Sequence, residues 1–358
     1  MSTPDRIEFP TCPVASFQHD RVMLAHGEGG RLMRRLLRER IAPAISRGNP
    51  AFSTDIIEND AATFPVNDGD MAITTDSYVV SPLFFPGGDI GSLAVFGTIN
   101  DLAVSGADPL WLTLGLILEE GLPFELLDRI LFSIGTAAKQ CGVSIVAGDT
   151  KVVPKGVLDK IFINTTGIGR VRDNGSLGSH RLHEGDAILV SGPIGHHGIA
   201  VLAAREQLGL NPAPRSDCAP LHESCRCLHN ALGRDLHAMR DATRGGVSAV
   251  LHEWSEASSH TMKLRESLVP IAPNIRGACE LLGLDPLYVA NEGTFVAAVS
   301  PSAVPRALEV LQNLDVSRHA TIIGEVTKKQ SAPVIVERLL GIWQPLDEPS
   351  GAPLPRIC

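Results

Sequence analysis

Five aspartates stand among small or polar residues instead of within runs of charge. These residues are Asp60, Asp76, Asp101, Asp149 and Asp241. Magnesium takes oxygen ligands, usually one or two carboxylates per ion together with the phosphates of a substrate. A single aspartate in such a context more often caps a helix or closes a turn. The recurrence of the pattern nevertheless predicts that these carboxylates bind Mg²⁺.

A glycine-rich segment, HGEGG at residues 26–30, precedes a stretch in which leucines recur at helical spacing. Small residues there let main-chain amides approach an anion near a helix N-terminus, so Gly27, Gly29 and Gly30 are candidates for phosphate binding. A flexible loop before a helix explains the segment equally well, because no Walker lysine follows at the required spacing. Glu28 adds a carboxylate that must point away from a bound phosphate.

Lys151 and Glu292 are candidates for proton or charge transfer. Lys151 directly follows Gly-Asp-Thr, and Glu292 lies within ANEGTF. A lysine or glutamate taken singly is more often a solvated surface residue. The residue types alone leave both interpretations open.

The segment HESCRCLH, residues 222–229, brings four residues with metal-ligating side chains close together in sequence. They are His222, Cys225, Cys227 and His229. A Cys-x-Cys spacing within a predicted helix directs the two sulfurs to different faces, and a tetrahedral zinc site usually shows wider, paired spacing. The sequence therefore favours a helix without metal here, and the role of the cluster stays open.

The sequence closes with QPLDEPSGAPLPRIC, which has four prolines and a glycine between residues 345 and 355. Such a composition cannot sustain a helix or a central strand. Residues 342–358 are therefore predicted to form a flexible or extended tail. In polyproline geometry fourteen residues of this tail would span about 40 Å, which lets Cys358 reach a distant cleft.

The elements that must position these residues alternate between helices and strands. Predicted helices cover residues 31–46, 91–107, 123–141, 195–208, 222–238 and 246–258. Predicted strands cover residues 71–80, 111–118, 143–148, 161–169, 186–195, 294–300, 320–326 and 333–338. A polar, turn-rich stretch at 170–185 separates two α/β layers, and we place a domain boundary near residue 178.

Composition excludes several classes of protein. The 358 residues are 44% hydrophobic, 20% charged and 4% aromatic, which is typical of a soluble protein of about two domains. A net charge of −9 argues against a surface for nucleic acid or anionic lipid. The sequence starts without a basic, apolar leader and has no long apolar run, so we expect a cytoplasmic protein without a membrane anchor. Its seven scattered cysteines are predicted to be reduced thiols.

A series of segments, taken in order along the chain, resembles the HypE family of hydrogenase maturation factors. The segments are HGEGG, TTDSYVVSPLFFPGGDIG, INDLAVSGADP, AGDTKVV, RDATRGG, NEGTF and the terminal PRIC. The resemblance runs from about His26 to Cys358. Several internal segments are shared with the wider superfamily of aminoimidazole ribonucleotide (AIR) synthetase and selenophosphate synthetase, whereas PRIC after a proline-rich tail is specific to the HypE family.

The resemblance implies an α/β (α+β) protein with the two-domain PurM/AIR synthetase-like fold. Residues 1–25 are an N-terminal extension without an assigned role. Residues 26–178 are expected to form a sheet domain that binds ATP and joins a second copy in a β-barrel, which makes a homodimer. Residues 179–341 are expected to form a C-terminal α/β domain, and residues 342–358 the flexible tail.

The resemblance also assigns roles to residues at matching positions. ATP binding is assigned to Gly27, Gly29, Gly30, Asn100, Asp149 and Thr150. Mg²⁺ binding is assigned to Asp60, Asp76, Asp101, Asp149 and Asp241. Lys151 and Glu292 match the pair that lies beside the inserted cysteine, and Glu292 is expected to be the base.

The activity implied is ATP-dependent dehydration of a carbamoyl group on Cys358 to a thiocyanate, which supplies cyanide to the iron of a NiFe hydrogenase. A carbamoyltransferase resembling HypF loads the sulfur, and phosphorylation by ATP turns the carbamoyl oxygen into a leaving group. An acceptor resembling the HypC and HypD proteins then receives the cyanide. The terminal carboxylate disfavours the thiolate of Cys358. Arg356 is a candidate to offset that charge or to dock the tail on a partner, and a solvated arginine explains this residue equally well.

Other functions fit parts of the sequence. A sibling enzyme such as selenophosphate or aminoimidazole ribonucleotide synthetase would use the same ATP cleft, but it needs no terminal cysteine. A non-catalytic protein that docks a partner through the proline-rich tail has no need of the five aspartates. A zinc module at residues 222–229 would be excluded by a metal analysis without stoichiometric zinc.

Overall fold

The computed structural model describes residues 30–36, 38–39, 61–66, 69–172, 177–338, 341–349, 354 and 356–358. Its helices are α1 Gly30–Leu36, α2 Ile90–Val104, α3 Phe124–Cys141, α4 His196–Arg205, α5 His222–Leu232, α6 Gly246–Ser258, α7 Pro273–Leu282 and α8 Val304–Gln312. Its strands are β1 Ala62–Val66, β2 Gly69–Tyr78, β3 Phe84–Phe85, β4 Gly88–Asp89, β5 Ala107–Glu119, β6 Ser144–Val153, β7 Ile161–Val171, β8 Ala187–Val190, β9 Leu236–Asp241, β10 Thr261–Arg265, β11 Phe295–Val299, β12 Thr321–Thr327, β13 Val334–Glu337 and β14 Trp343–Pro345. Within these ranges, every helix is too short or too polar to cross a membrane.

The first sheet has five strands in the order β1-β2-β7-β5-β6. Neighbours are antiparallel except β5 and β6, which are parallel. Along β2, Thr74 and Tyr78 are buried, whereas Thr75 and Ser77 between them are exposed. This alternation follows from the period of two in a strand, and it gives the sheet one face covered by helices and one open face.

Helix α2 is the central element of the fold. It is buried on all sides apart from the half-buried Ser92 and Asp101, because it packs on α3 and the first sheet and also contacts α5 and β9. Its start is defined by Asp89, whose carboxylate accepts hydrogen bonds from the main-chain amides of Gly91 and Ser92. Residues on α2 are therefore held between the two halves of the molecule.

The second sheet has seven strands in the order β14-β13-β10-β12-β8-β11-β9. Leu251 and Trp254 of α6 lie in the core on one face, while Leu228 of α5 and Leu311 of α8 lie in the core on the other. Because both faces are covered, β11 is buried along its whole length and reads FVAAV instead of alternating. The domain boundary placed near residue 178 lies between β7 and β8 and stays a prediction.

The predicted helix over residues 222–238 is wrong in its second half. Helix α5 ends at Leu232, and the following Gly233 has a φ of +53°, which an L side chain rarely adopts. Leu236 and Met239 then lie in β9, which is buried and pairs with β11. Local sequence patterns also did not predict β1, β3, β4, β10, β14, α7 and α8.

The tail begins with regular structure. Trp343–Pro345 forms β14, which pairs antiparallel with β13 at the edge of the second sheet. Proline is tolerated there because an edge strand has one side without a hydrogen-bonding neighbour. Leu354 and Ile357 are buried in the core that α2 and α3 also form. The tail is therefore extended without a helix or central strand in its described residues, and its last residues are packed on the protein.

Candidate functional site

Three carboxylates from separate parts of the chain gather where the two sheets meet. Asp76 lies on β2, Asp241 ends β9, and Glu292 precedes β11; we call these three residues the acidic cluster. Asp241 and Glu292 are only 5% and 3% exposed. The strand register explains part of this arrangement, since Asp241 pairs with Phe295, three residues after Glu292.

Burial and repulsion from neighbouring carboxylates perturb the pKa values of Asp241 and Glu292. Burial, opposed by Arg240 and reinforced by Asp76, raises the pKa of Asp241 to about 6. Burial and the charges of Asp241 and Asp217 raise the pKa of Glu292 well above its usual range. Asp241 and Glu292 therefore favour their protonated form unless a cation is added, and carboxylate oxygens are the ligands that Mg²⁺ prefers.

The backbone around Glu292 is held by Asp217, which the sequence analysis did not single out. Its Oδ1 accepts from the Glu292 amide at 3.1 Å, and its Oδ2 accepts from the Gly293 amide at 3.1 Å and the Thr294 hydroxyl at 3.0 Å. A Cβ at Gly293 would lie 1.8 Å from the Asp217 carbonyl oxygen, so only glycine fits. Glu292 Oε1 is buried and has no hydrogen-bond partner in the described part of the chain, which leaves it available to a substrate or cation.

Asn100, a predicted ATP ligand, is engaged within the protein. Its amide nitrogen donates to the carbonyl oxygens of Ala219 at 3.1 Å and Glu292 at 3.3 Å, and its Oδ1 accepts from the Leu221 amide at 2.7 Å. Since Asn100 is 1% exposed, these bonds occupy the side chain where it lies. Asn100 thus links two loops around Glu292, and its role in ATP binding stays a prediction.

Asp101 lies with Asp76 on one face of the first sheet. The Thr74 hydroxyl donates to Asp101 Oδ2 at 2.9 Å. Thr74 and Asp76 are two residues apart on β2, so their side chains leave the strand on the same side. Two of the predicted Mg²⁺ ligands are therefore brought together by α2 and β2.

Asp149, Thr150 and Lys151 lie apart from the acidic cluster, on the exposed edge strand β6. Lys151 Nζ is 3.8 Å from Asp149 Oδ2, and the two side chains are 74% and 75% exposed. The strand register puts Gly148, not Asp149, in the cross-strand row of Asp76. Because neighbours in a strand point to opposite faces, Asp149 and Lys151 leave the sheet on the side away from Asp76. Within one protomer they do not join the cluster.

The end of the tail lies along the segment that follows β2. The Val79 amide donates to a carboxylate oxygen of Cys358 at 3.2 Å, and the Ser81 amide donates to the Arg356 carbonyl oxygen at 3.3 Å. Val79 is three residues past Asp76, about 10 Å along an extended chain. Cys358 is half-buried and packs against the core of the first sheet. The last residue therefore lies beside the strand that carries Asp76.

The side chain of Arg356 binds the protein rather than projecting towards solvent. Its Nε donates to the Val79 carbonyl oxygen at 3.0 Å, and its Nη2 lies 3.1 Å from Asp159 Oδ2. The predicted role in offsetting the terminal carboxylate stays a prediction.

Some predicted residues fall outside the described ranges. Gly27, Gly29 and Asp60 are among them, and Gly30 is the first residue of α1. The glycine loop and the first aspartate of the Mg²⁺ set therefore stay predictions.

The histidines and cysteines of α5 do not form a metal-binding group in the part of the chain that the structure describes. Cys225 is buried in the core, and burial raises its pKa well above the usual range. His222 and His229 have Nδ1 atoms without a hydrogen-bond partner, and burial lowers the pKa of both rings. A group close enough to share a metal does form elsewhere, from His183, Asp186 and His237.

The chain is similar to known proteins along most of its length. The family model of the N-terminal domain of AIR synthase related protein matches residues 58–171, and that of the C-terminal domain matches residues 183–337. The carbamoyl dehydratase HypE of Escherichia coli (strain K12) is 45% identical over 339 residues, which are 95% of this chain and 100% of that protein.

Solved structures share the fold. A crystal structure of a HypE-HypF complex gives a TM-score of 0.80 at 42% identity, covering 86% of this chain and 99% of that chain. A crystal structure of hydrogenase maturation protein HypE in complex with ATP gives a TM-score of 0.78 at 41% identity, covering 94% and 100%. These similarities confirm the predicted PurM/AIR synthetase-like fold. The chain belongs to the HypE family of AIR synthase related proteins.

Proposed function

We propose that this chain uses ATP to dehydrate a carbamoyl group on the sulfur of Cys358 to a thiocyanate, during hydrogenase maturation. The observation that carries the proposal is the docking of the tail beside the end of β2, where a carboxylate oxygen of Cys358 accepts from the Val79 amide, three residues past Asp76. The similarity to carbamoyl dehydratase HypE and to HypE in complex with ATP supports the same activity here. A sibling synthetase acting on a small substrate would have no use for a docked cysteine.

The acidic cluster fits a divalent cation. Glu292 Oε1 is buried without a partner among the described residues, and the pKa of Asp241 is raised, so added positive charge would relieve both groups. We propose Asp76, Asp101 and Asp241 as Mg²⁺ ligands. Bound Mg-ATP supplies the phosphoryl group that converts the carbamoyl oxygen into a leaving group, while the metal neutralises phosphate charge.

Glu292 is proposed as the base that takes one proton from the carbamoyl nitrogen, and the departing phosphate takes the other. When the oxygen leaves as phosphate and the nitrogen has lost its protons, the carbon–nitrogen bond becomes a nitrile on sulfur. A base must be ionised, and burial raises the pKa of Glu292, so a nearby cation is needed to release its proton. Asp217 and Asn100 hold the Glu292 backbone while the side chain acts.

A homodimer is proposed to complete the site, because Lys151 lies away from the cluster in its own protomer. Strand β6 is an exposed sheet edge that also carries Val146 and Val152, 57% and 67% exposed. Apolar side chains on an unpaired edge favour cover by another chain. Two first sheets joined there would let Asp149, Thr150 and Lys151 of one protomer serve the site of the other.

Two further partners are proposed. A HypF-like carbamoyltransferase would load Cys358, as the solved HypE-HypF complex suggests for a relative, and a HypC-HypD-like acceptor would receive the cyanide. Both exchanges require the tail to leave the docked position. The tail would therefore alternate between the acidic cluster and its partners.

Mass spectrometry of the C-terminal peptide tests the proposed function. After incubation with the carbamoyltransferase, carbamoyl phosphate and ATP, Cys358 should gain a carbamoyl group and then lose one water. Cys358→Ala should abolish both changes. A carbamoylated wild-type protein that never loses water in the presence of Mg-ATP would overturn the proposal.

A further inference from the structure

His197, on α4, joins the tail to the rest of the site. Its ring is completely buried. Nε2 lies 2.8 Å from the Ile357 carbonyl oxygen, and Nδ1 lies 2.8 Å from the Ser216 hydroxyl. The two nitrogens therefore connect segments that are far apart in the sequence, one of which ends in Cys358.

The partners determine which nitrogen carries the proton. A carbonyl oxygen can only accept, so Nε2–H donates to Ile357 and Nδ1 accepts from the Ser216 hydroxyl. The Ser216 oxygen in turn accepts from the Cys218 amide at 3.0 Å. Burial lowers the pKa of His197, which agrees with a neutral ring of this tautomer.

The loop that orients His197 is also the loop that holds Glu292. Ser216 bonds the ring of His197, and the next residue, Asp217, bonds the Glu292 amide at 3.1 Å. The same loop therefore fixes the position of Ile357, which precedes Cys358, and the position of the proposed base.

Arg205, eight residues further along α4, holds the neighbouring part of the tail. Its Nη2 donates to the Arg356 carbonyl oxygen at 2.5 Å, and its Nε donates to the Ser81 carbonyl oxygen at 2.8 Å. Helix α4 therefore binds the main chain of two consecutive tail residues. Main-chain recognition fixes the register of the tail, while the buried Ile357 side chain anchors it.

We propose that His197 is a positioning residue that holds the tail in its docked state through the Nε2–H bond to Ile357. The bond aligns Cys358 with the loop that fixes Glu292. The statement that His197 holds the docked tail depends only on the observed contacts. Its effect on the rate of dehydration rests on the proposed function. Dehydration needs the docked tail and loading needs the undocked one, so losing the bond should affect the two steps differently.

Limited trypsin digestion tests the docking part without reference to activity. Cleavage after Arg356 removes Ile357 and Cys358, and intact-mass spectrometry follows it, with cleavage after Arg338 reporting any general loosening of the fold. Glutamine places its amide nitrogen near the position of Nε2, and asparagine near that of Nδ1. His197→Ala and His197→Asn should be cut after Arg356 about tenfold faster than wild type, the effect of one hydrogen bond, and His197→Gln should resemble wild type.

Equal cleavage after Arg356 in wild type and His197→Ala would overturn the inference. Faster cleavage in His197→Gln, equal to that of His197→Ala, would also overturn it, because the donor at Nε2 would then be irrelevant. A parallel rise in cleavage after Arg338 would show general unfolding and count against a specific role.

Single-turnover kinetics test the consequence. In His197→Ala and His197→Asn, dehydration of the carbamoylated tail should slow about tenfold while loading by the carbamoyltransferase stays equal or becomes faster. His197→Gln should rescue dehydration. Equal slowing of both steps would contradict a positioning role. If wild-type protein does not dehydrate at all, the proposed function fails while the trypsin result still decides the docking.

Discussion

The acidic cluster and the edge strand β6 both carry charged residues that were predicted to belong to the site, but two residues of the cluster are buried whereas those on β6 are exposed. Asp241 and Glu292 are buried with raised pKa values. Asp149 and Lys151 are about three-quarters exposed on a strand that, among the described residues, has a neighbouring strand on one side only. We infer that the buried residues of one protomer form the part of the site that holds the cation and the base, and that the exposed residues on β6 complete the site across a dimer.

Replacing the proposed base, which lies in the acidic cluster, is expected to have the largest effect on the rate of dehydration. Glu292→Gln keeps the size of the side chain and the main-chain bond to Asp217, but it removes the proton acceptor. We expect dehydration to slow by about 100-fold or more, so that carbamoylated Cys358 accumulates in time-resolved mass spectrometry. Glu280→Gln, an exposed carboxylate on α7, is the matched control and should behave as wild type. Normal dehydration by Glu292→Gln would exclude Glu292 as the base.

Mixing two inactive variants tests whether the exposed residues on β6 act on the site of the other protomer in a dimer. Lys151→Ala alone should lose most dehydration activity. In mixed dimers of Lys151→Ala and Glu292→Gln, one site in two would regain both intact residues, so an equal mixture should recover about a quarter of wild-type activity. The measurement is the rate of thiocyanate formation after subunit exchange. No recovery, with exchange verified by mass, would show that both residues act within one protomer.

A charge on the exposed edge should weaken the dimer. Val152→Lys puts an ammonium group on β6, and we expect the dimer dissociation constant to rise about tenfold or more because a lysine would have to be desolvated. Sedimentation velocity over a dilution series measures this. Ile342→Lys, at a position 59% exposed beside the second sheet, is the control. An equal effect of both changes, or none of either, would argue that β6 is not the dimer edge.

The buried half should show a pH-dependent response to Mg²⁺. The pKa of Asp241 is raised from 3.8 to about 6, so the folded protein binds more protons than the unfolded chain between these values, and stability without metal falls as pH rises through that window. Mg²⁺ requires the ionised form. The metal should therefore raise the melting temperature by more at pH 8 than at pH 5, and Asp241→Asn should remove most of this difference. An Mg²⁺ effect independent of pH in wild type would count against Asp241 as a ligand.

Local patterns predicted most elements well. Helix α6 spans Gly246–Ser258, the range expected from its spacing of apolar residues, and α3 differs by one residue at its start. Strand β9 could not be predicted from alternating polarity, because its residues do not alternate when both faces of the sheet are covered. Short elements such as β10 and β14 carry too little periodicity to be found, since their strand character comes from pairing with distant neighbours.

The candidate site was predicted in part. Asp76, Asp101, Asp241 and Glu292 stood out because each lies in a short motif of small residues, and the fold brings them together at α2 and the adjoining strands. Residues that work through hydrogen bonds to main-chain groups gave no such signal, because any histidine or aspartate can do so when the chain passes close by. His197 and Asp217 are of this kind, and only their contacts reveal them.

By itself, the sequence determined the chemical types available to the site, the order of its motifs and the presence of a cysteine after a proline-rich tail, since these are local properties of the chain. Only the tertiary structure decided which of these residues meet. A shift of one position along a strand turns a side chain to the other face of the sheet, so the separation of Lys151 from Glu292 depends on the register of four strands. That register is set by long-range pairing and burial, which no short segment contains.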